Sequence, residues 1–195
     1  MSDLKSTIRL ADEVSEKVLL RALVTICYAH WEGHVRFAAK LYFVHIALRK
    51  LPFSDLNDQF VKNYFLPRLA SLSKSKSSIE GRCLLVEEIL NAKSTQFRSV
   101  NKELIDTKSN LNSDVLRDIC IICGVDFLIF ESDTSFIDAI LLKRRNAIAH
   151  GEETFVGRDD VDMLAEKTVS LMRTFGDALD NRIQLGSFRL SLIHI

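Results

Sequence analysis

Arg145 and Asn146 are followed four residues later by His150, in the run Arg144-Arg145-Asn146-Ala147-Ile148-Ala149-His150-Gly151. A fork of guanidinium donors, an amide and an imidazole are the groups needed to cut RNA without a metal ion. The imidazole takes the proton from a ribose 2'-hydroxyl or gives one to the leaving 5'-oxygen, as general base or acid. The guanidinium matches the phosphate oxygens and balances charge that builds up on phosphorus. The 2'-hydroxyl is the internal nucleophile, so neither a protein nucleophile nor a cofactor is called for, and DNA would be spared. On a helix Asn146 and His150 share a face, whereas Arg145 starts about 140° from His150 and must reach round with its long side chain. Lys143 and Arg144 complete the one dense basic run beside this chemistry and are candidate RNA-phosphate contacts. By itself the pattern also suits a plain helix end, because cationic side chains favour the negative end of the helix dipole.

Other chemically suggestive residues have weaker patterns. Glu32 can approach the motif helix and orient Arg144 or Arg145 from behind, or simply face solvent. Tyr28 and Trp31 read as core anchors. His30 and His34 have the four-residue spacing of metal ligands, but no Glu-x-x pattern or third ligand accompanies them. Cys120 and Cys123 have Cys-x-x-Cys spacing with apolar flanks, no second pair and no βαβ context, which points to core cysteines. No metal site is expected. Lys74, Lys76 and Arg82 border the Ser-rich stretch Ser71–Ser78 and are either solvated or further phosphate contacts.

These residues need helices to hold them. With 47% apolar residues, seven Gly and two Pro among 195, the composition favours long helices over a strand-and-turn protein. Apolar residues recur at helical spacing from about Leu10 to Lys50, predicting one long helix, or two with a bend near Gly33, stopped at Pro52. A second helical stretch is expected over Leu56–Leu72, kinked or divided at Pro67. Ser71–Ser78 reads as a loop, and Ser78 as the cap of a helix from Ile79 to about Lys93. Ser94–Asn112 has little periodicity and reads as an irregular connection or insert. Ser113 is the expected cap of a helix over Asp114–Cys123, with Gly124 ending it in a left-handed conformation. Phe127–Phe130 is a short strand or, better, a buried connection. Asp133 or Ser135 opens the motif helix, which Gly151 stops, and Asp159 caps a last helix from Asp160 to about Gln184. The fold class expected is all-α: an antiparallel helical bundle with a helical or irregular insert, in which the first, motif-bearing and last helices pack together.

The 26 basic and 26 acidic residues cancel, so a nucleic-acid partner must meet a local patch rather than an overall positive field. Charges interrupt every apolar run, and no membrane partner is expected. The first twenty residues are too charged for a secretory leader, and four cysteines in apolar surroundings suit a reducing cytoplasm. The last six residues, Leu190–Ile195, are what CTG TCT CTT ATA CAC ATC encodes, a transposon end used as a sequencing adapter. The native part is therefore expected to be a single domain over residues 1–189, with 190–195 read-through; a natural apolar tail is the alternative.

The run Arg144–Glu152 resembles the Arg-x4-His signature of the HEPN superfamily, in which Asn commonly follows the Arg. Tyr28-Ala29-His30-Trp31-Glu32-Gly33 is similar to a Tyr-x-x-Trp/Leu-Glu-Gly stretch on the first helix of the MAE and RiboL-PSP branch, and Lys108–Ser113 is similar to a segment that branch carries before its middle helix. The resemblance spans about Val18 to Arg182. It implies a helical domain that dimerises with two motif helices facing across a cleft, forming a composite metal-independent endoribonuclease site. Arg145 would stabilise the phosphate, His150 act as acid or base, and Asn146 orient. It further implies a toxin restrained by an antitoxin protein, or a phage-defence effector; the alternatives are a non-catalytic module that binds a nucleotide or protein, and a plain helical interaction domain.

Overall fold

The computed structural model describes residues 2–74, 78–99 and 104–190. Ser75, Lys76 and Ser77 of the Ser-rich stretch, residues 100–103 of the expected insert and the adapter-like residues 191–195 lie outside them. The structure is all-α. Among the described residues the only extended pairings are two isolated bridges, Pro52 with Gln96 and Leu56 with Arg189. The helices are α1 (Ser2–Leu10), α2 (Glu13–Ala47), α3 (Asp58–Lys74), α4 (Ile79–Leu90), α5 (Ser113–Cys123), α6 (Arg144–Ala149) and α7 (Asp160–Gln184). Two compact units share α2, α5 and α7: the first comprises residues 1–37, 107–118 and 126–177, the second 38–106, 119–125 and 178–195.

In the first unit α1 is a short helix that the sequence pattern did not predict. Its Ile8 is buried, and Lys5 Nζ reaches Asp162 Oδ1 of α7 at 2.9 Å. A separate helix then starts because Asp12 Oδ1 accepts from the N–H groups of Val14 and Ser15 at 3.1 and 2.9 Å, an N-cap of the ordinary kind. From there α2 runs unbroken through Gly33. Trp31 on α2, Phe130 and Phe175 on α7 form an aromatic chain with centroids 6.3 Å apart at each step, so α2 and α7 share one core with the segment before the motif.

That segment adds what the sequence pattern did not show. Phe127–Asp133 is a connection in 3-10 form rather than the alternative strand. Its three-residue turn explains why Phe127 and Phe130 are buried while Leu128 and Ile129 are exposed. The motif helix opens at Thr134 and Ser135, is π-helical over Phe136–Lys143 and passes directly into α6. A π-turn is wider than an α-turn, so face assignments from the 3.6-residue period do not carry across it. The predicted stop holds: Gly151 has φ +76°, and its N–H and that of Glu152 donate to Ile148 and Ala147 carbonyls at 3.1 and 2.9 Å. This left-handed closure is what glycine alone adopts freely.

The α5 cap is also corrected. Asn112 Oδ1 accepts the Val115 N–H at 2.8 Å, which leaves Ser113 free for another task. Its N–H and Oγ donate to the two carboxylate oxygens of Asp138 at 2.7 and 2.5 Å, tying the start of α5 to the π-helical segment.

In the second unit Pro67 lies inside α3 without dividing it. Its missing N–H leaves the Asn63 carbonyl without its helical partner, and the Asn63 side chain fastens the same turn: Nδ2 donates to the Ile122 carbonyl at 2.7 Å and Oδ1 accepts from Gln59 at 2.8 Å. Helix α3 extends through Lys74, into the predicted loop. Ser78 caps α4 as expected, accepting the Gly81 N–H at 3.1 Å, but α4 ends at Leu90 and is followed by a 3-10 turn over Ala92–Ser94. Phe65, Leu85 and Ala92 form the core between α3 and α4.

Candidate functional site

The motif residues project from one short stretch of the first unit. Lys143 ends the π-helix, Arg144, Arg145 and Asn146 open α6, and His150 caps it. Lys143 and His150 are exposed, whereas Arg144, Arg145 and Asn146 are half-buried. The backbone N–H of His150 donates to the Asn146 carbonyl at 3.0 Å, the last helical bond before the Gly151 stop. Asn146 and His150 are therefore one turn apart, as the spacing predicts.

The two adjacent arginines have different partners. Arg144 Nη1 donates to Asp160 Oδ2 at 3.0 Å, a partly buried ion pair with the first residue of α7. The same carboxylate oxygen accepts the Gly157 N–H at 3.2 Å. The charge expected to meet a phosphate thus has a carboxylate partner within the chain. Arg145 instead turns inward. Its guanidinium carbon lies 4.1 Å from the centroid of the Tyr28 ring, and Nη2 donates to the Ser109 carbonyl at 2.6 Å. Its Nε is buried and has no hydrogen-bond partner among the described residues. A guanidinium offers five N–H donors, and the Ser109 carbonyl takes one from Nη2.

Residues 107–112 form the wall against which Arg145 and Asn146 rest. Asn146 Nδ2 donates to Asn110 Oδ1 at 3.3 Å. Within the wall Asn110 N–H donates to the Thr107 carbonyl at 3.0 Å, and Lys108 and Ser109 both have φ +53°. Two successive non-glycine residues in the left-handed region are costly and persist only when their surroundings hold them. Tyr28 and Glu32 supply that hold: the Tyr28 hydroxyl accepts the Leu111 N–H at 2.7 Å, and Glu32 Oε1 accepts from Thr107 Oγ1 at 2.6 Å. Burial pushes the Tyr28 phenol up from its ordinary value, against the Leu111 N–H and Arg145, which pull it down. It stays neutral wherever the protein is folded near neutrality.

The structure thus brings Arg145 and Asn146 to one loop and leaves His150 exposed at the end of the same helix. Glu32 does not pair with either arginine. It grips Thr107, because Arg144 is held by Asp160 and Arg145 by Ser109. Sequence reasoning missed Thr107, Ser109 and Asn110, and placed Tyr28 in the core without its contact to Arg145. The signal was the polar run Lys108–Ser113, whose partners lie in distant segments. His34 belongs to packing: a Cβ added at Gly176 of α7 would lie 3.6 Å from its Nε2. Cys120 and Cys123 are buried, and among the described residues no three His, Cys, Asp or Glu side chains are grouped to hold a metal ion. No helix among them is long and apolar enough to cross a membrane.

The chain is all-α, and its motif helix ends on His150 and Gly151. A family model described as RiboL-PSP-HEPN matches residues 1–181, and the chain belongs to that family. No curated protein and no solved structure matches it.

Proposed function

We propose that the protein is a metal-independent endoribonuclease of a toxin–antitoxin or phage-defence system. It cuts RNA by attack of the ribose 2'-hydroxyl at a site completed by a second copy of the chain. Membership of the RiboL-PSP-HEPN family supports the reading at the level of an RNase or nucleotide-binding module. The observation that carries it further is Arg145: its guanidinium is fixed by Tyr28 and Ser109, Asn146 follows it on α6, and His150 caps that helix. In this mechanism Arg145 binds a phosphate oxygen and stabilises negative charge on phosphorus, and His150 moves the proton to or from oxygen. Asn146 orients the substrate, and exposed Lys143 draws in the backbone. Arg144, already paired with Asp160, contributes less to phosphate binding than its position suggests.

The second reading is a non-catalytic module that binds a nucleotide or protein partner. It is favoured by the engagement of both Arg145 and Asn146 with the loop at residues 109 and 110. Purified protein incubated with RNA in the presence of a chelator separates the two. Endonucleolytic fragments ending in a 2',3'-cyclic phosphate, lost in His150→Ala and Arg145→Ala, are expected. Intact RNA, or cutting undiminished in both variants, would falsify the ribonuclease reading.

A further inference from the structure

Tyr28 touches the site at two independent points, and a residue that merely fills the core needs only one of them. Its ring supports the guanidinium of Arg145 at 4.1 Å, while its hydroxyl, at the far end of the same side chain, takes the Leu111 N–H at 2.7 Å. Glu32 follows one turn later on α2 and takes Thr107 Oγ1 at 2.6 Å. One face of α2 therefore grips residues 107 and 111. Between these grips lie the two left-handed residues, Lys108 and Ser109, and the Ser109 carbonyl that receives Arg145 Nη2 at 2.6 Å. A backbone in this conformation relaxes when its grips are lost, and the carbonyl moves with it.

We propose that Tyr28 is a positioning residue for Arg145: its ring fixes the plane of the guanidinium, and its hydroxyl, with the Glu32–Thr107 bond, holds the Ser109 carbonyl that fixes its direction. The planar fork of an arginine binds phosphate well in one orientation only, and misplacing a catalytic group by about 1 Å costs on the order of 100-fold in rate. The proposal rests on the reading of Arg145 as the phosphate-binding group. Its geometric part stands on Arg145 alone, and the test reads the two separately.

The test uses the full chain, with Tyr28→Phe, Tyr28→Leu, Thr107→Val and Thr107→Ser. The first readout is the Nε–Hε nuclear magnetic resonance of Arg145, assigned by its loss in Arg145→Lys. Lying against an aromatic face, it is expected to be shifted upfield in the parent protein. Tyr28→Leu should abolish that shift, and Tyr28→Phe and Thr107→Val should move the resonance while leaving it upfield. The second readout is cleavage of RNA. For Tyr28→Phe and Thr107→Val, kcat should fall about tenfold with KM changed by less than about twofold and the pH profile unmoved, and Thr107→Ser should restore the rate. Tyr28→Phe and Thr107→Val are nearly isosteric, so they decide the matter should Tyr28→Leu fail to fold. A resonance and a kcat like those of the parent in both of them would overturn the proposal and leave Tyr28 as a core residue. A parent protein that does not cut RNA would overturn the ribonuclease reading, while the resonance would still decide whether Tyr28 positions Arg145.

Discussion

Arg144 and Asp160 are joined at 3.0 Å across the gap between the motif helix and the start of α7. Next to it in sequence, Arg145 has no carboxylate partner among the described residues and rests on an aromatic ring and a carbonyl. The division of labour between neighbours is a structural one: the first arginine fastens α6, the second is left with donors to spare.

Breaking that fastening should cost stability. Both side chains are about three-quarters covered, and Asp160 also accepts the Gly157 N–H, so Arg144→Leu or Asp160→Asn is expected to destabilise by about 1 kcal/mol. Urea unfolding measures it. RNA cleavage per folded molecule should fall far less than in Arg145→Ala, and equal losses in the two arginine variants would contradict the division.

Acid should loosen the first unit. The Glu16 carboxyl is held below its ordinary value of 4.5 by hydrogen bonds from Arg158, whose Nε and Nη2 lie at 2.7 and 2.8 Å. Asp162 is held below 3.8 by Lys5. In each case the unfolded chain takes up a proton before the folded one does. The stabilisation is therefore complete above the ordinary value and is lost as the pH falls through the lower, folded value. Urea midpoints measured between about pH 6 and pH 3 should drop with acid. The double variant Glu16→Gln, Asp162→Asn should show a flatter acid limb, and an unchanged limb would rule these carboxylates out as its cause.

Thiol reagents should discriminate sharply. Cys83 is exposed, while Cys27, Cys120 and Cys123 are buried. Burial also pushes the Cys27 and Cys123 thiols up from their ordinary range, which lowers the reactive thiolate fraction further. Iodoacetamide at neutral pH is expected to give a single adduct on the native protein, at Cys83, and to reach the other cysteines only in denaturant. Intact-mass spectra report the count, and native-state labelling of Cys120 or Cys123 would show the second unit to be more open than described.

Two glycines should respond to alanine with opposite sign. Gly124 has φ +70°, and a Cβ there would lie 2.7 Å from Arg182 Nη2. That guanidinium is itself committed to the Ser187 carbonyl and the Tyr42 hydroxyl. Gly124→Ala should cost about 1–2 kcal/mol. Gly33 lies inside α2 with open space around its missing Cβ, and Gly33→Ala should stabilise by about 0.5–1 kcal/mol. Thermal melts with the same sign for both variants would refute the pairing.

Much of this chain was legible from local rules. The period of its apolar residues placed the stretch that α2 fills, with a bend at Gly33 left open, and the limits of α7, and Ser78, Gly124 and Gly151 marked helix ends through capping and left-handed closure, each a matter of a few neighbouring residues. The same locality placed Arg145, Asn146 and His150 on one helix end. Helix α1 escaped because nine residues hold too few apolar positions to show a period. The π-helix escaped because the period itself changes there, and of the two outcomes left open at Pro67 the division of α3 did not occur.

What only the tertiary structure decided is which groups the polar side chains meet. Arg145 and Ser109 are 36 residues apart, and Glu32 and Thr107 are 75 apart. A hydrogen bond or an ion pair is made over about 3 Å, whatever the separation along the chain. Spacing therefore nominated Arg145, Asn146 and His150 as candidates for the chemistry. Only the folding of α2 against the 107–112 loop could assign Arg145 its orientation, Glu32 its partner and Arg144 its place in the scaffold.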